Sequence, residues 1–291
     1  MPSSNDALPA RRRRQAAPPG GPLLAVAKRG AEQLLWARVA LQRRLEARRR
    51  PDGPAGRPRP PALPPTDVLR TRAEWRDAVR VCRRLRLPLH RDRPKNWDAL
   101  GAVATVLATC GTAARVLDAG SARYSPLLPW LRLYGLSDLV GINLEFTRDV
   151  RRDGVLFRYG DVTATDFPDA RFDAVTCLSV IEHGVPLDAF LHEAARVLRP
   201  GGVLVVSTDY DEDPPDTSAL TMYGHRVHIF SPDDVRQLVA AADACGLHLL
   251  GDLALAHPQR PVHWTRTGLD FTFIRLSFRR GHVPPHSVSR A

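Results

Sequence analysis

The spacing of apolar residues changes near Gly111 and divides the chain into two regions. Downstream, short runs rich in β-branched residues alternate with segments in which apolar residues recur every three or four positions. The runs predict buried strands, and the recurring spacing predicts amphipathic helices. Seven runs have the character of strands: ARVLDA, DLVGIN, VLFRY, FDAVTCLSV, GVLVVST, LHLLGDLAL and DFTFIRLSF. Their alternation with helices predicts an α/β fold, with a mostly parallel sheet covered by helices on both faces.

Two helices of this region have clear boundaries. Between the fourth and fifth strands, apolar residues from Leu187 to Leu198 lie at helical spacing, and the segment RPGG ends the helix. Ser231 caps the next helix and Gly246 terminates it. The last strand follows AHPQRPVHWTRTGLD, which contains no good crossover helix, so we expect that strand to run antiparallel.

Helical signals also precede the sheet. The segment T-R-A-E from Thr71 is a capping box ahead of a helix, and a second helix is predicted after Asn96. We therefore assign residues 66–110 to a helical lead-in, residues 111–280 to the α/β domain and residues 281–291 to a C-terminal tail.

The first 65 residues have a different composition. They contain 12 of the 26 prolines and the run Arg11 to Arg14, which predicts a disordered leader over residues 1–65. One segment, 23–50, has apolar residues loosely at helical spacing with arginines between them. It predicts a basic amphipathic helix. Such a helix has three interpretations. It is typical of a solvated, partly helical leader and of a docking helix for a partner. It is also typical of a peripheral anchor, in which residues 11–50 would contact an anionic membrane.

The positive charge is concentrated at the front of the chain. The formal net charge is +11, yet residues 111–291 carry 18 Lys/Arg against 22 Asp/Glu. An enzyme that acts on nucleic acid needs positive charge around its working groove, because phosphate neutralisation supplies most of the affinity. The charge distribution therefore disfavours nucleic acid as a partner.

Composition also bears on compartment and metal content. No run approaches the length of apolar residues that a membrane-spanning helix needs, and arginines precede any signal-peptide core, so we expect a cytoplasmic protein, either free or membrane-peripheral. The four cysteines lie far apart without a CxxC pair. This spacing predicts reduced, buried thiols and neither zinc nor disulfides.

The candidate chemistry begins at the end of the first strand, VLDAGSARYS. Ligands of such sheets bind outside the carboxyl ends of the strands, where Asp118 forms the strand tip and Gly120 allows a ligand to approach the turn. The GxGxxG pattern of a nicotinamide dehydrogenase is missing, and a carboxylate would repel a diphosphate. The Asp118 carboxylate suits a cofactor that carries an ammonium and a sulfonium and no phosphate, which points to S-adenosylmethionine. The alternative is an ordinary turn with a capping Asp.

Several segments, in this order, resemble class I S-adenosylmethionine-dependent methyltransferases of the type 11 group: VLDAGS, GDVTAT, FDAVTCLSVIEHG, EAARVLRPGGVLVVST and HIFSPDDVRQLVAAADACGL. The resemblance covers residues from about 95 to 279. It implies a Rossmann-like seven-stranded sheet and methyl transfer to a small-molecule or glycan acceptor, most readily at a hydroxyl. It also implies a set of cofactor-binding residues: Asp118, Gly120, Ser121, Asn143, Leu144, Asp161, Val162, Leu178 and Ser179.

One position departs from the family pattern. The family usually has Asp or Glu at the end of the second strand, where it accepts hydrogen bonds from the ribose, and this chain has Asn143. Loss of a charge-assisted bond costs about 1–2 kcal/mol, so we expect weakened binding, with Glu145 as a compensating group or a plain surface residue. The departure motivates an alternative function: a catalytically inactive methyltransferase-fold protein that recruits partners through its basic leader.

A hydroxyl acceptor needs a base, and three residues are candidates: His183, Tyr210 and His228. His183 has a second interpretation as a turn cap. The other two lie within the insert DYDEDPPDTSALTMYGHRVHIF, which also contains Tyr223 and His225 and whose length predicts a substrate lid. Its acidic residues, including Asp209 and Asp211, predict a solvated loop. No metal is expected, since Ser179 occupies the first carboxylate position of the ExxEH pattern that holds an ion in some relatives.

Overall fold

The structure is a computed structural model that describes residues 22–49, 57–222, 225–265 and 267–281. Its helices are α1 (Pro22–Arg49), α2 (Arg72–Arg84), α3 (Lys95–Cys110), α4 (Leu127–Leu133), α5 (Leu187–Val197) and α6 (Pro232–Ala244), with a 3-10 turn at Ile181–His183. The strands are β1 (Asp67–Val68), β2 (Arg115–Ala119), β3 (Asp138–Asn143), β4 (Val150–Arg152), β5 (Val155–Tyr159), β6 (Phe172–Leu178), β7 (Leu198–Tyr210), β8 (Thr221–Met222), β9 (His225–Arg226), β10 (Leu247–Leu249), β11 (Val262–Trp264) and β12 (Leu269–Arg280).

The main sheet has ten strands in the order β1-β12-β7-β6-β2-β3-β5-β4, with β10 and β11 also paired to β12. Its centre is parallel from β5 to β7, and β12 runs antiparallel to β7, as predicted. All seven predicted strands are present as β2, β3, β5, β6, β7, β10 and β12. The sequence did not predict the short edge strands β1, β4 and β11. The carboxyl ends of β2, β3, β5 and β6 therefore meet at one edge of the sheet, which positions the site.

Side-chain caps begin two of the helices. The Thr71 hydroxyl accepts from the Glu74 amide at 3.3 Å, but the Glu74 carboxylate accepts from the amide of Arg70, one residue before the predicted partner. At α6 the exchange is complete, since Ser231 Oγ accepts from the Asp234 amide and Asp234 accepts from the Ser231 amide. Both helices begin where the capping signals predicted.

Helix α1 matches the helix predicted over residues 23–50, but it is packed onto the domain, which differs from the expectation of a disordered leader over residues 1–65. Leu35, Trp36 and Val39 are buried in the main core, and Trp36 Nε1 donates to the Arg123 carbonyl at 3.0 Å. Arg43 forms an ion pair with Asp153 at 2.5 Å. Packing of this apolar stripe offsets the chain entropy that the proline-rich composition led us to regard as decisive.

The segment that follows α1 is also tied to the domain. Arg275 donates to the Pro64 carbonyl, and the Ser277 hydroxyl donates to the Pro65 carbonyl. Residues before the predicted boundary at 66 are therefore bonded to the domain. The predicted basic run Arg11 to Arg14 and nearly all of the predicted tail 281–291 lie outside the described residues. Among the helices within the described residues, none has the length and apolarity to cross a membrane.

Candidate functional site

Asp118 lies at the tip of β2 and is 4% exposed. The Thr176 hydroxyl on the neighbouring strand donates to its carboxylate at 2.8 Å. Burial raises the pKa of Asp118 to about 6, and interactions with the Ser121 and Thr176 side chains only partly oppose this effect. No Lys or Arg of the described residues forms an ion pair with it. The carboxylate is thus a buried charge held in place without a cation.

Gly120 follows Asp118 in a turn that needs glycine for two reasons. Its φ is +82°, in the left-handed region, and a Cβ at this position would lie 2.4 Å from Val180 Cγ2. We expected the missing side chain to leave room for a ligand. The structure instead places Val180, from the turn after β6, in that space, so the glycine permits packing between two loops at the sheet edge.

Asn143 holds the same turn from the other side. Its Nδ2 donates to the carbonyls of Gly120 at 3.2 Å and Ser121 at 3.0 Å, and its Oδ1 accepts from the Glu145 amide at 2.8 Å. Both ends of the amide are therefore engaged by the protein. This arrangement explains why the position holds an amide: a carboxylate has no hydrogen to give to the two carbonyls. Glu145, the predicted compensating residue, is exposed in the turn after β3.

Two apolar side chains are left exposed beside this turn. Leu144 is 60% exposed and Tyr159 is 58% exposed, and Tyr159 pairs with Asn143 in the β3–β5 ladder. Leu144 was predicted as a cofactor contact and Tyr159 was not. Large apolar groups exposed at the binding edge of an α/β sheet are typical of a surface that a ligand covers.

Two of the predicted cofactor-binding residues, Asp161 and Val162, lie after β5. Asp161 Oδ1 accepts from the amide of Thr163 at 2.9 Å and from its hydroxyl at 2.7 Å, which is a loop-capping arrangement. Val162 is partly buried and packs against the apolar core of the α5 side. The assignment of these two residues to the cofactor stays a prediction.

At the end of β6, Ser179 contacts a residue that the sequence analysis missed. Lys95 Nζ, from the first turn of α3, donates to Ser179 Oγ at 2.6 Å, and Ser179 has a left-handed φ of +53°. Non-glycine residues in this conformation are strained and cluster at functional sites. Leu178, the preceding residue, is partly buried against the main core.

Lys95 belongs to a buried group of charges under the site. Asp98, Glu182 and Asp209 are at most 7% exposed, and Asp98 accepts from the Ser207 hydroxyl at 3.0 Å. Burial alone would lower the pKa of Lys95, but the nearby carboxylates outweigh it and the pKa is raised. Burial raises the pKa of Asp209 to about 6 despite the attraction of Lys95. A signal was available, since Lys95 and Asp98 are the charged residues of an otherwise apolar helix.

The segments that carry His183 and His228 lie side by side. His183 lies in the 3-10 turn after β6, and the His228 amide donates to the carbonyl of Glu182 at 2.9 Å. The His228 ring lies against Phe230, and its Nε2 is 3.1 Å from Asp234 Oδ2. The insert after β7 therefore returns along the turn that carries His183, although Tyr223 within it lies outside the described residues.

Tyr210 differs from the other two predicted catalytic residues. It is fully buried, its hydroxyl donates to the Leu255 carbonyl at 3.1 Å, and its ring contacts His257. Successive residues of a strand point to opposite faces of the sheet. Because Asp209 points toward Lys95, Tyr210 points toward the other face, where it packs in the core.

The acidic insert is not a solvated loop over its whole length, which corrects the prediction. Asp209 lies in the buried group of charges, and Asp211 is 1% exposed. Arg260 donates to both carboxylate oxygens of Asp211, at 2.7 and 2.8 Å. A bidentate pair of this kind offsets the cost of burying the carboxylate.

Comparison with known proteins places these features in a family. Residues 117–206, which carry Asp118, Gly120, Asn143 and Ser179, match the family described as "Methyltransferase domain". Residues 117–206 therefore carry a methyltransferase domain. This confirms the family prediction and, at the level of the domain, the cofactor prediction. The buried Asp118 charge fits the ammonium of that cofactor, which has no phosphate to be repelled.

Two proteins illustrate the likeness of this methyltransferase domain. It is 32% identical over 117 residues to a sterol 24-C-methyltransferase from Yarrowia lipolytica, across 35% of this chain and 30% of that protein. The match therefore spans less than a third of the relative's length. The structure of a geranyl diphosphate C-methyltransferase from Streptomyces coelicolor has 17% identity and a TM-score of 0.49, across 71% of this chain and 83% of that one.

Proposed function

We propose that this protein transfers a methyl group from S-adenosylmethionine to a small-molecule or glycan acceptor, at a hydroxyl. The observation that carries the proposal is the buried Asp118 carboxylate, which lies at the strand edge of the matched domain without a cation. When bound, the cofactor supplies an activated methyl group on a sulfonium. The protein's own task is then to orient the acceptor and to take up its proton.

His183 and His228 are the groups we assign to that proton. Asp234 lies within hydrogen-bond distance of His228 Nε2, an arrangement that orients the imidazole ring. Tyr210 is left out of the assignment because its hydroxyl already donates to a carbonyl in the core. We assign Asp118, Gly120, Ser121, Leu144, Asp161, Val162, Leu178 and Ser179 to the cofactor side, with Asn143 acting through the turn that it holds.

The substitution Asp118→Asn tests the cofactor assignment. The change keeps the shape and the acceptor for Thr176 but removes the charge, so we expect cofactor affinity to fall by about a hundredfold, the amount that a buried charge-assisted contact supplies. Calorimetric titration of the full chain with S-adenosylmethionine measures this loss. Asp166→Asn, an exposed acid paired with Arg158, is the matched control and should bind as the wild type does.

The pH dependence gives the same test a second readout. A carboxyl whose pKa is raised to about 6 in the folded protein makes the cofactor-free protein less stable as pH rises from about 4 to 6, by at most about 3 kcal/mol. Cofactor affinity should rise over the same window, because the ionised form binds the ammonium. Both trends should be absent from Asp118→Asn. Unchanged affinity in this variant would contradict the placement of the site, and no binding by the wild type at millimolar cofactor would favour the partner-recruitment function.

We also propose peripheral contact with an anionic membrane through the outer face of α1. Leu34, Leu41 and Leu45 are 69%, 57% and 42% exposed, and their offsets of seven and eleven residues place them on one face of the helix. Exposed arginines flank this stripe at positions 38, 44 and 48. Apolar residues bordered by positive charge are the pattern of a helix that lies in a membrane interface.

Vesicle flotation tests the membrane proposal. The wild type should float with phosphatidylcholine vesicles that contain phosphatidylserine and remain in solution with pure phosphatidylcholine, and high salt should weaken the contact. The triple variant Leu34→Ser, Leu41→Ser and Leu45→Ser should no longer float. Since all three side chains are exposed, this variant should melt as the wild type does. Equal flotation of wild type and variant would contradict the role of the stripe.

A further inference from the structure

A concave site lies between α1, the end of α2 and the segment 86–93. It is a cavity of about 450 Å³. We call it the arginine cavity, because its charged lining consists of Arg38, Arg83, Arg86, Arg91 and Arg93, with His90 beside them. No acidic residue lines it.

Within the described residues, the arginines of the cavity are not ion-paired, although Asp92 lies between Arg91 and Arg93 in the chain. Its five guanidinium groups form no ion pair with a carboxylate anywhere in the part of the chain that the structure describes. Neighbouring arginines at the same junction behave differently: Arg43 pairs with Asp153 and Arg57 pairs with Glu46. Convergent guanidinium groups without counter-charges favour an anion, and their planar forks match a phosphate in particular.

One of these arginines occupies a strained position. Arg86 has a φ of +54°, its amide donates to the Arg83 carbonyl, and the Leu87 amide donates to the Cys82 carbonyl. This is the helix C-terminal motif in which the left-handed residue is usually glycine. Helix α6 follows that preference with Gly246, at a φ of +74°. Arg86 thus occupies a left-handed position that favours glycine, and its presence there adds a positive charge to the cavity at a cost in backbone strain.

Side chains that are buried or partly buried hold the backbone of segment 86–93 by hydrogen bonds. Gln42 Nε2 donates to the Arg86 carbonyl at 2.8 Å, and Trp130 Nε1 donates to the Pro88 carbonyl at 2.8 Å. Asn96 Oδ1 accepts from the His90 amide at 2.9 Å, and its Nδ2 donates to the Arg93 carbonyl at 2.9 Å. The backbone that carries the arginines is thus held before any ligand arrives, which lowers the entropic cost of binding.

We propose that the arginine cavity binds a phosphate group, either of a soluble phosphorylated molecule or of an anionic lipid headgroup. The cavity lining shares no residue with the assigned cofactor site, and the segment 86–93 leads directly to Lys95 at Ser179. A ligand bound here would have its phosphate between α1 and the segment 86–93. The proposal does not depend on the proposed methyl transfer.

Titration with inorganic diphosphate tests the site on the full chain. We expect Arg86→Gly to weaken diphosphate binding by at least about tenfold while leaving the melting temperature equal to or above that of the wild type, because the change relieves the strained turn. Ala170→Gly is the matched control, since Ala170 also has a left-handed φ, of +52°, but lies outside the cavity. The double variant Arg83→Gln and Arg91→Gln, which leaves the turn intact, should lose binding as well.

Competition then identifies the source of the phosphate. If diphosphate displaces the protein from phosphatidylcholine vesicles that contain phosphatidic acid, the natural ligand is a lipid headgroup. If it binds without displacing the protein, the ligand is soluble. No diphosphate binding at millimolar concentration, or equal binding by wild type and cavity variants, overturns the proposal. Titration with S-adenosylmethionine in parallel shows whether the cofactor site is intact, so the two proposals fail separately.

Discussion

Asn143→Asp, which restores the acid usual in the family, should damage this protein rather than improve it. The new oxygen would face the carbonyls of Gly120 and Ser121, which now accept from Asn143 Nδ2. Two acceptors lose their donor and meet a negative charge, so we expect a loss of about 2–3 kcal/mol in the free energy of unfolding near neutral pH. Thermal melting should fall by roughly 5–10 °C. Cofactor affinity should fall with it, because the turn after β2 is no longer held.

The pH dependence and a second variant separate charge from lost hydrogen bonds. Protonation of the introduced carboxyl restores a donor, so the deficit of Asn143→Asp should shrink as pH falls toward about 4. Asn143→Ala lacks the donors but adds no charge, and its smaller deficit should be constant with pH. A variant with tighter cofactor binding than the wild type would show instead that position 143 faces the ribose, as the family pattern implied.

Lys95→Met should produce the second large effect. The change leaves Asp98, Glu182 and Asp209 buried without their cation, and breaking such a group typically costs about 3–5 kcal/mol. Burial raises the pKa of Asp98 and of Glu182, and it raises the pKa of Asp209 to about 6. Removing the ammonium raises all three further, so the folded variant takes up protons and its deficit should diminish between about pH 8 and pH 5. Urea unfolding at both limits measures the difference.

Lys28→Met is the matched control, because it removes the other lysine of the chain with the same substitution. Lys28 lies over the Tyr124 ring at 5.8 Å, in a partly exposed position on α1. Its removal should cost less than about 1 kcal/mol and should show no dependence on pH in this range. Equal losses for the two lysine variants would mean that the buried carboxylates do not need Lys95.

The difference between prediction and structure at Asn143 has a physical origin. The sequence predicted that this residue ends the second strand of the α/β region, and the structure confirms that position at the end of β3. The direction of the amide was not predictable, because it depends on carbonyls of residues more than twenty positions earlier in the chain. The same limit applies to Tyr210 and Asp209. Their adjacency places them on opposite faces of β7, but which of the two faces the core and which faces Lys95 is decided by the packing of β7 in the sheet.

Local chemistry by itself determined the seven strands, the start of α2, both ends of α6 and the acid at the tip of β2. Each depends on residues close together in sequence: apolar periodicity, a capping hydroxyl, a proline or a glycine. Tertiary structure alone decided that α1 packs on the domain, that Val180 fills the space beside Gly120, that Lys95 joins three buried carboxylates and that five arginines line one cavity. Those features arise from contacts between residues far apart in the chain, where burial and charge are properties of the assembled fold rather than of any segment.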